Sequence, residues 1–257
     1  MANVVFENKV LAAKAKDLLT TSVNTRSLMT VDTSLAATAG MTKTVNTYVY
    51  NGEVEELGVG EGNTGKGEIT YTGTDYTVKM NQQRFHYFDE DYAKDDNIVD
   101  FQMKGANQKM VNKMTADFIT EVKKATLSHS AATFGYEAIV EAIGKLNIED
   151  ESNLFVVAPT AWKAELRLDD DYKVARMGDV VYNGQVATVS GLPVIYTNAL
   201  TDAAYVMSKE AITLFMKKDV EVEQDRDKNT RENIVYLRTS YLVALTDATK
   251  IVKITKA

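Results

Sequence analysis

Apolar and polar positions follow three different rhythms along these 257 residues, and each rhythm predicts a different element. Near the amino terminus Phe6, Val10, Leu11, Leu18 and Leu19 fall at helical spacing and predict one short amphipathic helix. The residues around them are mostly Ala, Thr, Ser, Asn and Lys, and residues 34 to 44 hold little that can build a core. Residues 1–45 therefore read as an extended arm that lies on something else, such as another subunit. Two β-prone runs follow, Thr47-Tyr-Val-Tyr50 and Ile69-Thr-Tyr-Thr72. Between them, glycines at 58, 60, 62, 65 and 67 make a flexible tip. Residues 46–80 thus predict a long hairpin. It has few large apolar residues, so it projects from the body.

Tyr76, Val78, Met80, Phe85, Tyr87 and Phe88 predict a strand before an acidic turn at Asp89, Glu90, Asp91, Asp95 and Asp96. The strongest helical signal comes next. Residues 98 to 127 contain no proline, and Val111, Met114, Phe118, Val122 and Ala125 recur every three or four residues between exposed lysines. Asp96 or Asn97 can cap this helix. Thirty residues of helix reach about 45 Å, the length of a strut, and Gly105 is a place for a bend. A second helix over 132 to 146 buries Tyr136, Ile139, Val140 and Ile143. Residues 154 to 157 form a buried strand, and Pro159 opens a third helix carrying Trp162 and Leu166. Residues 185 to 197 are strand-like with a break at 191 to 193. From residue 214 onward the chain turns strongly β: Val220 and Val222 alternate with Glu221 and Glu223, and runs at 232 to 245 and 250 to 254 follow. No repeat at a fixed period is visible.

Composition narrows the chemistry. Apolar residues make up 45% and charged residues 25%, as in ordinary folded domains. A net charge of −7 gives no basic footprint for sequence-specific nucleic-acid binding. There is no cysteine, so disulfides, thiolate metal sites and cysteine nucleophiles are excluded. His86 and His129 are the only histidines, too few for a histidine-rich zinc site. The amino terminus lacks the basic and apolar regions of a secretory signal. No apolar run approaches the ~20 residues that span a bilayer, so no membrane partner is expected.

Candidate chemical motifs dissolve in context. Gly60-Glu-Gly62-Asn-Thr-Gly65 fits the dinucleotide-loop spacing, and Lys66 brings it near a phosphate loop. Both motifs need a helix after the glycines, and here a β-prone run follows. The acidic groups Asp89/Glu90/Asp91 and Asp169/Asp170/Asp171 lack calcium-loop spacing and read as solvated turns. His86 reads as a sheet residue. His129 follows the strut, where a cation suits the helix dipole. Trp162 anchors local packing. The lysines of the strut read as its solvated side, with contact to a nucleic-acid backbone as the alternative.

The order of elements resembles the Hong Kong 97-like major capsid proteins of tailed bacteriophages over essentially the whole chain. The most family-like stretches are Gly191-Leu-Pro-Val-Ile-Tyr-Thr-Asn198, Ala204-Tyr-Val-Met-Ser-Lys-Glu-Ala-Ile212, Val220-Glu-Val-Glu223, Asp225-Arg-Asp227 and Ile251-Val-Lys-Ile254. The resemblance implies an α+β fold with an arm (1–45), an extended hairpin loop (46–80) and an axial domain (132–213). The peripheral domain would comprise 81–131 and 214–257, including a spine helix over 98–127. It implies a non-enzymatic subunit without cofactor or metal. That subunit self-assembles as pentamers and hexamers into an icosahedral shell around double-stranded DNA, with portal and separate scaffolding proteins as partners. The shell would belong to the virion and assemble in the host bacterial cytoplasm.

Candidate inter-subunit contacts are Phe6 in the arm and Tyr48, Tyr50, Lys66, Ile69 and Tyr71 in the hairpin. Some family members crosslink lysine to asparagine between subunits, and Lys66 is the lysine of the glycine-rich tip. Some carry an amino-terminal scaffolding segment, whereas this chain enters the arm directly from Met1. The alternatives are an encapsulin-like nanocompartment shell, an α/β enzyme using the acidic clusters, and another virion component such as a tail protein.

Overall fold

Strands that read as unbroken apolar runs need cover on both faces, and the structure supplies it. It is a computed structural model, and it describes residues 25–36, 40–175 and 188–256. The first part of the chain forms β1 (Thr30–Asp32), β2 (Thr42–Tyr50), β3 (Ile69–Thr77) and β4 (Lys79–Phe88). Helices α1 (Asp89–Lys94) and α2 (Ile98–Val122) follow, then β5 (Leu127–Ala131) and α3 (Tyr136–Leu146). The middle continues with β6 (Leu154–Pro159), α4 (Lys163–Leu168), α5 (Asp170–Ala175), β7 (Thr188–Val189) and β8 (Leu192–Thr197). The chain closes with β9 (Ala203–Ser208), β10 (Ile212–Asp227), β11 (Glu232–Leu245) and β12 (Ile251–Lys256).

Three sheets result. One has the order β5-β12-β9-β6-β8-β7, a second has the order β1-β10-β11-β4, and β2 pairs with β3 alone. In the six-stranded sheet, successive side chains point to opposite faces. Leu154, Val156, Ala204, Val206, Val252 and Ile254 pack toward α3 and α4 with Ile139, Phe134, Trp162 and Leu166. Phe155, Val157, Tyr205, Met207 and Ile251 pack the other way, against Phe118 and Val122 of α2 and against Leu214, Met216 and Val243 of the second sheet. One sheet is therefore the wall between two cores, which is why its central strands tolerate no polar alternation.

The strut differs from its sequence expectation at its end. Helix α2 stops at Val122 and not at Leu127, because Leu127 to Ala131 pair in parallel with β12. Twenty-five residues still give about 37 Å of helix. The helix runs through Gly105 without a break. Asn97 sits at the cap position without a side-chain bond, and the Asp95 carboxylate instead accepts the Asn97 amide at 3.0 Å. His129 consequently sits on a strand, buried, with Nε2 3.1 Å from the Glu141 carboxylate. The predicted core residue Val140 is 39% exposed, while Ala138, Ala142 and Leu146 join Ile139 and Ile143 in the core.

The second half of the predicted arm is not loose. Leu28 and Met29 are buried in the core beneath α2, and Leu35 is buried in a small cluster under the hairpin root. Thr30 to Asp32 pair with Thr213 to Phe215 of β10. Strands β5 and β12, which fall in sequence ranges 81–131 and 214–257, lie in the same sheet as β6 and β9. The predicted Gly191 break is a tight turn at φ 82 between β7 and β8.

Candidate inter-subunit interface

The β2–β3 ladder runs in unbroken register from Thr42↔Thr77 to Tyr50↔Ile69, with Tyr48 opposite Tyr71. Nine residues of strand span about 30 Å. Period-two geometry puts Tyr48, Tyr50, Ile69 and Tyr71 on one face. The Tyr48 and Tyr71 rings lie 6.3 Å apart. Such cross-strand aromatic pairs hold a hairpin in register. All four side chains remain 51–68% exposed, so the described residues leave more than half of each uncovered.

The opposite face roots the hairpin. Val45 and Tyr76 pack against Leu35, Val78, Phe215 and Ala244. The Tyr76 ring stacks on Phe215 at 6.0 Å, and its hydroxyl donates to the Leu245 carbonyl at 3.0 Å. Burial, and then Glu121 nearby, pushes the Tyr76 hydroxyl above its ordinary pKa. Lys43 donates to Ser34 Oγ at 2.7 Å, and Lys217 donates to the Gly40 carbonyl at 2.7 Å. The root is thus fixed while the outer half stands free of the body.

The tip carries its own brace. The Glu55 carboxylate accepts from the Thr64 amide at 2.8 Å, the Thr64 hydroxyl at 2.9 Å and the Gly65 amide at 2.6 Å. The pair of backbone amides that suggested a phosphate loop is therefore filled by the chain's own carboxylate. Those donors hold the Glu55 carboxyl below the usual carboxylate range. Glu61 accepts the Gly58 amide at 3.1 Å. The Tyr50 ring lies over Gly52 and Gly67, and a Cβ at either glycine would stand 2.1 Å from its hydroxyl oxygen. Lys66 is exposed between Gly65 and Gly67.

Of the predicted contact residues, the structure brings Tyr48, Tyr50, Ile69 and Tyr71 together on one face. It places Lys66 apart from them in the tip. Phe6 lies outside the described residues. Sequence reading passed over other exposed apolar side chains: Val54, Leu57 and Val59 in the tip, Met80 on β4, and Val220 and Val222 on β10. The alternation of Val220 and Val222 with glutamates was visible, but which face was uncovered was not.

The remaining candidates are structural. Asp89 pairs with Arg226 at 2.6 Å and accepts from Asn233 at 2.7 Å, and Glu90 pairs with Arg231 at 2.7 Å. A cavity of about 580 Å3 is lined by Glu137, Glu141, Glu165, Asp169 and Asp171 above Phe134 and Ala138. Its Asp169 accepts the Tyr136 amide at 2.6 Å and the Asp171 amide at 3.0 Å, and its Glu165 pairs with Lys256. These two carboxylates are spent on fixing α3, α5 and the carboxyl end. Among the described residues no group of three or more His, Asp or Glu is placed to hold a metal ion. None of the described helices is long and apolar enough to cross a membrane. Nδ1 of His86 lies 3.6 Å from the Glu232 carboxylate on the neighbouring strand. The Lys256 ammonium sits 4.2 Å over the Trp162 ring, which also packs on Phe134.

No family model matches this chain. A curated relative, the "Major capsid protein" of Staphylococcus phage phiMR11, is 25% identical over 265 residues, covering 96% of this chain and 92% of that protein. Among solved structures, the capsid of the cyanophage P-SCSP1u superposes with a TM-score of 0.77 at 12% identity, over 95% of this chain and 91% of that one. The mature capsid of bacteriophage PhiM1 superposes with a TM-score of 0.72 at 10% identity, over 100% and 92%.

Proposed function

We infer that this chain, a protein of the Hong Kong 97-like capsid fold, is the major capsid protein of a tailed phage, and that copies of it tile a closed shell. The observation that carries the mechanism is the hairpin. Its root is pinned by Tyr76 and Phe215, while Tyr48, Tyr50, Ile69 and Tyr71 stand in solvent on one face. A side-chain face built this way finds its cover on a neighbouring copy.

Magnitudes set the mode of assembly. Burying four such side chains contributes roughly 2 kcal/mol each. Association costs about 4–15 kcal/mol in lost freedom and ordering. The gain of about 8 kcal/mol falls inside that range, so one hairpin contact is marginal by itself. Head-to-tail contacts that close into rings add further contacts per subunit. Closed pentamers and hexamers in an icosahedral shell meet that need.

We assign the four-stranded sheet with α2 as the peripheral body and the six-stranded sheet with α3 as the axial body. Packaged double-stranded DNA, contacted without sequence preference, and portal and scaffolding partners complete the proposal. So do assembly in the host cytoplasm and residence in the virion. The phage reading is favoured over the nanocompartment reading because the relative that aligns along nearly the whole chain carries the name of a phage head protein.

The test uses the purified full chain under the electron microscope, with Tyr48→Ser/Tyr71→Ser beside it. The wild type is expected to form hollow particles. The double variant is expected to keep its thermal unfolding transition while particle yield falls at least tenfold. Wild-type protein that stays monomeric at all concentrations overturns the reading.

A further inference from the structure

The joint between the β2–β3 ladder and its tip leaves a reactive pair of groups unheld. Tyr50↔Ile69 is the last ladder pair, and one further bond follows it, from the Asn51 amide to the Glu68 carbonyl at 3.0 Å. Among the described residues, the Asn51 carboxamide, the Gly52 amide and the backbone of Glu53 and Val54 make no hydrogen bond. Asn51 is exposed to water, and no hydrogen bond opposes rotation of the Asn51–Gly52 peptide plane. Residue 52 has its own reason to be glycine. The Tyr50 ring lies over it, and a Cβ there would stand 2.1 Å from the hydroxyl oxygen. A glycine amide is also the least hindered neighbour that an asparagine side chain can have. The same tip holds a contrasting asparagine. Asn63 is exposed too, but the amide after it belongs to Thr64, which is β-branched, and is held by the Glu55 carboxylate at 2.8 Å.

We propose that Asn51 is a site of spontaneous deamidation through the Gly52 nitrogen, with isoaspartate as one product. The Gly52 nitrogen gives its proton to water and attacks Cγ of Asn51. The Cγ–Nδ2 bond breaks, and Nδ2 leaves as ammonia. The five-membered succinimide that results is opened by water. Breaking the bond from the nitrogen to Cγ restores the ordinary main chain and leaves aspartate. Breaking the bond from the nitrogen to the main-chain carbonyl carbon leaves isoaspartate, with the chain now running through Cγ. The net change is one water consumed and one ammonia released, with no oxidation or reduction. Both products place a new carboxylate beside the exposed Glu53 and Glu68. Isoaspartate also adds one carbon to the main chain where the ladder meets the tip, so it re-aims the tip and leaves the two cores untouched. The chemistry needs only this chain and water, and it holds whether or not the chain builds a shell.

The test compares the folded full chain with the same chain in guanidinium chloride, both warmed at mildly alkaline pH. Peptide mapping by mass spectrometry, with fragmentation to assign the site, follows amide-to-acid conversion at Asn51 and Asn63. Labelling by an isoaspartyl methyltransferase reports the isoaspartate product. The second Asn-Gly pair, Asn183-Gly184, lies outside the described residues and is mapped on a separate peptide. Asn51 is expected to convert in the folded chain at close to its rate in denaturant. Folding is expected to slow Asn63 roughly tenfold to a hundredfold, the factor for giving up one hydrogen bond to a charged group. Asn51→Ser is expected to remove the methyl label from the peptide that carries residue 51. Folding that slows Asn51 as strongly as Asn63, or a label that persists on that peptide in Asn51→Ser, overturns the assignment.

Discussion

At the scale of single residues, Glu55 turns a loop that looks fit for phosphate into a closed brace. Its carboxylate takes the Thr64 and Gly65 amides that an external anion would need. The folded-state pKa lies below the unfolded one. The brace is therefore intact above the unfolded value and is lost as pH falls through the folded value. Amide hydrogen exchange at Thr64 and Gly65, corrected for intrinsic rates, is expected to accelerate as the solution is acidified below the usual carboxylate range. Glu55→Gln is expected to exchange faster at neutral pH and to lose the acid-dependent step. An unchanged pH profile in the variant counts against the brace. Burial and then Asp117 raise the Tyr241 hydroxyl above its ordinary pKa, with Tyr241 donating to Asp117 at 3.1 Å. That bond ties β11 to α2.

At the scale of elements, the strut and the hairpin solve opposite problems. Helix α2 is held along its length. Ala106 and Met103 pack on Val235 and Leu237, then Phe118 and Val122 enter the core beneath the six-stranded sheet. A methyl group at Gly105 meets nothing within 4 Å. Glycine inside a helix costs about 0.5–1 kcal/mol relative to alanine. Gly105→Ala is therefore expected to raise the melting temperature by about 1–4 °C, checked by calorimetry. A fall would mean that the glycine serves a bent conformation absent here. The hairpin, by contrast, is held only at its root, where Tyr76, Val45 and Lys43 meet the body. Beyond Tyr50 and Ile69 the tip's hydrogen bonds among the described residues are internal.

At the scale of the whole molecule, the cores that fold the chain and the hairpin face proposed for assembly are made of different residues. The two cores on either side of the six-stranded sheet contain none of the hairpin's outer residues. Replacing residues 51–68 with an Asn-Gly turn keeps Tyr50 and Ile69 as the last ladder pair. The shortened protein is expected to melt within about 3 °C of the full chain, since the excised residues bury little. It is expected to lose particles when viewed by electron microscopy. A large drop in melting temperature would show that the tip supports the body after all.

The sequence by itself determined the kinds of element and their order. The 3.6-residue rhythm after Asn97 marked the strut, the unbroken apolar run at 154 to 157 marked a buried strand, and the Tyr-Val-Tyr and Ile-Thr-Tyr runs marked the hairpin and its exposed aromatic face. These are local properties, since periodicity and turn chemistry act between near neighbours. Tertiary pairing decided the rest. The strut ends at Val122 because β12, more than a hundred residues away, claims Leu127 to Ala131 as a partner. Leu28, Met29 and Leu35 leave the predicted arm because the α2 core and the hairpin root have room for them. Val222 of β10 stays more than half exposed because α2 packs mainly over β11 and β4. Which apolar face remains in solvent depends on how separate elements pack together, and no window of neighbouring residues holds that information.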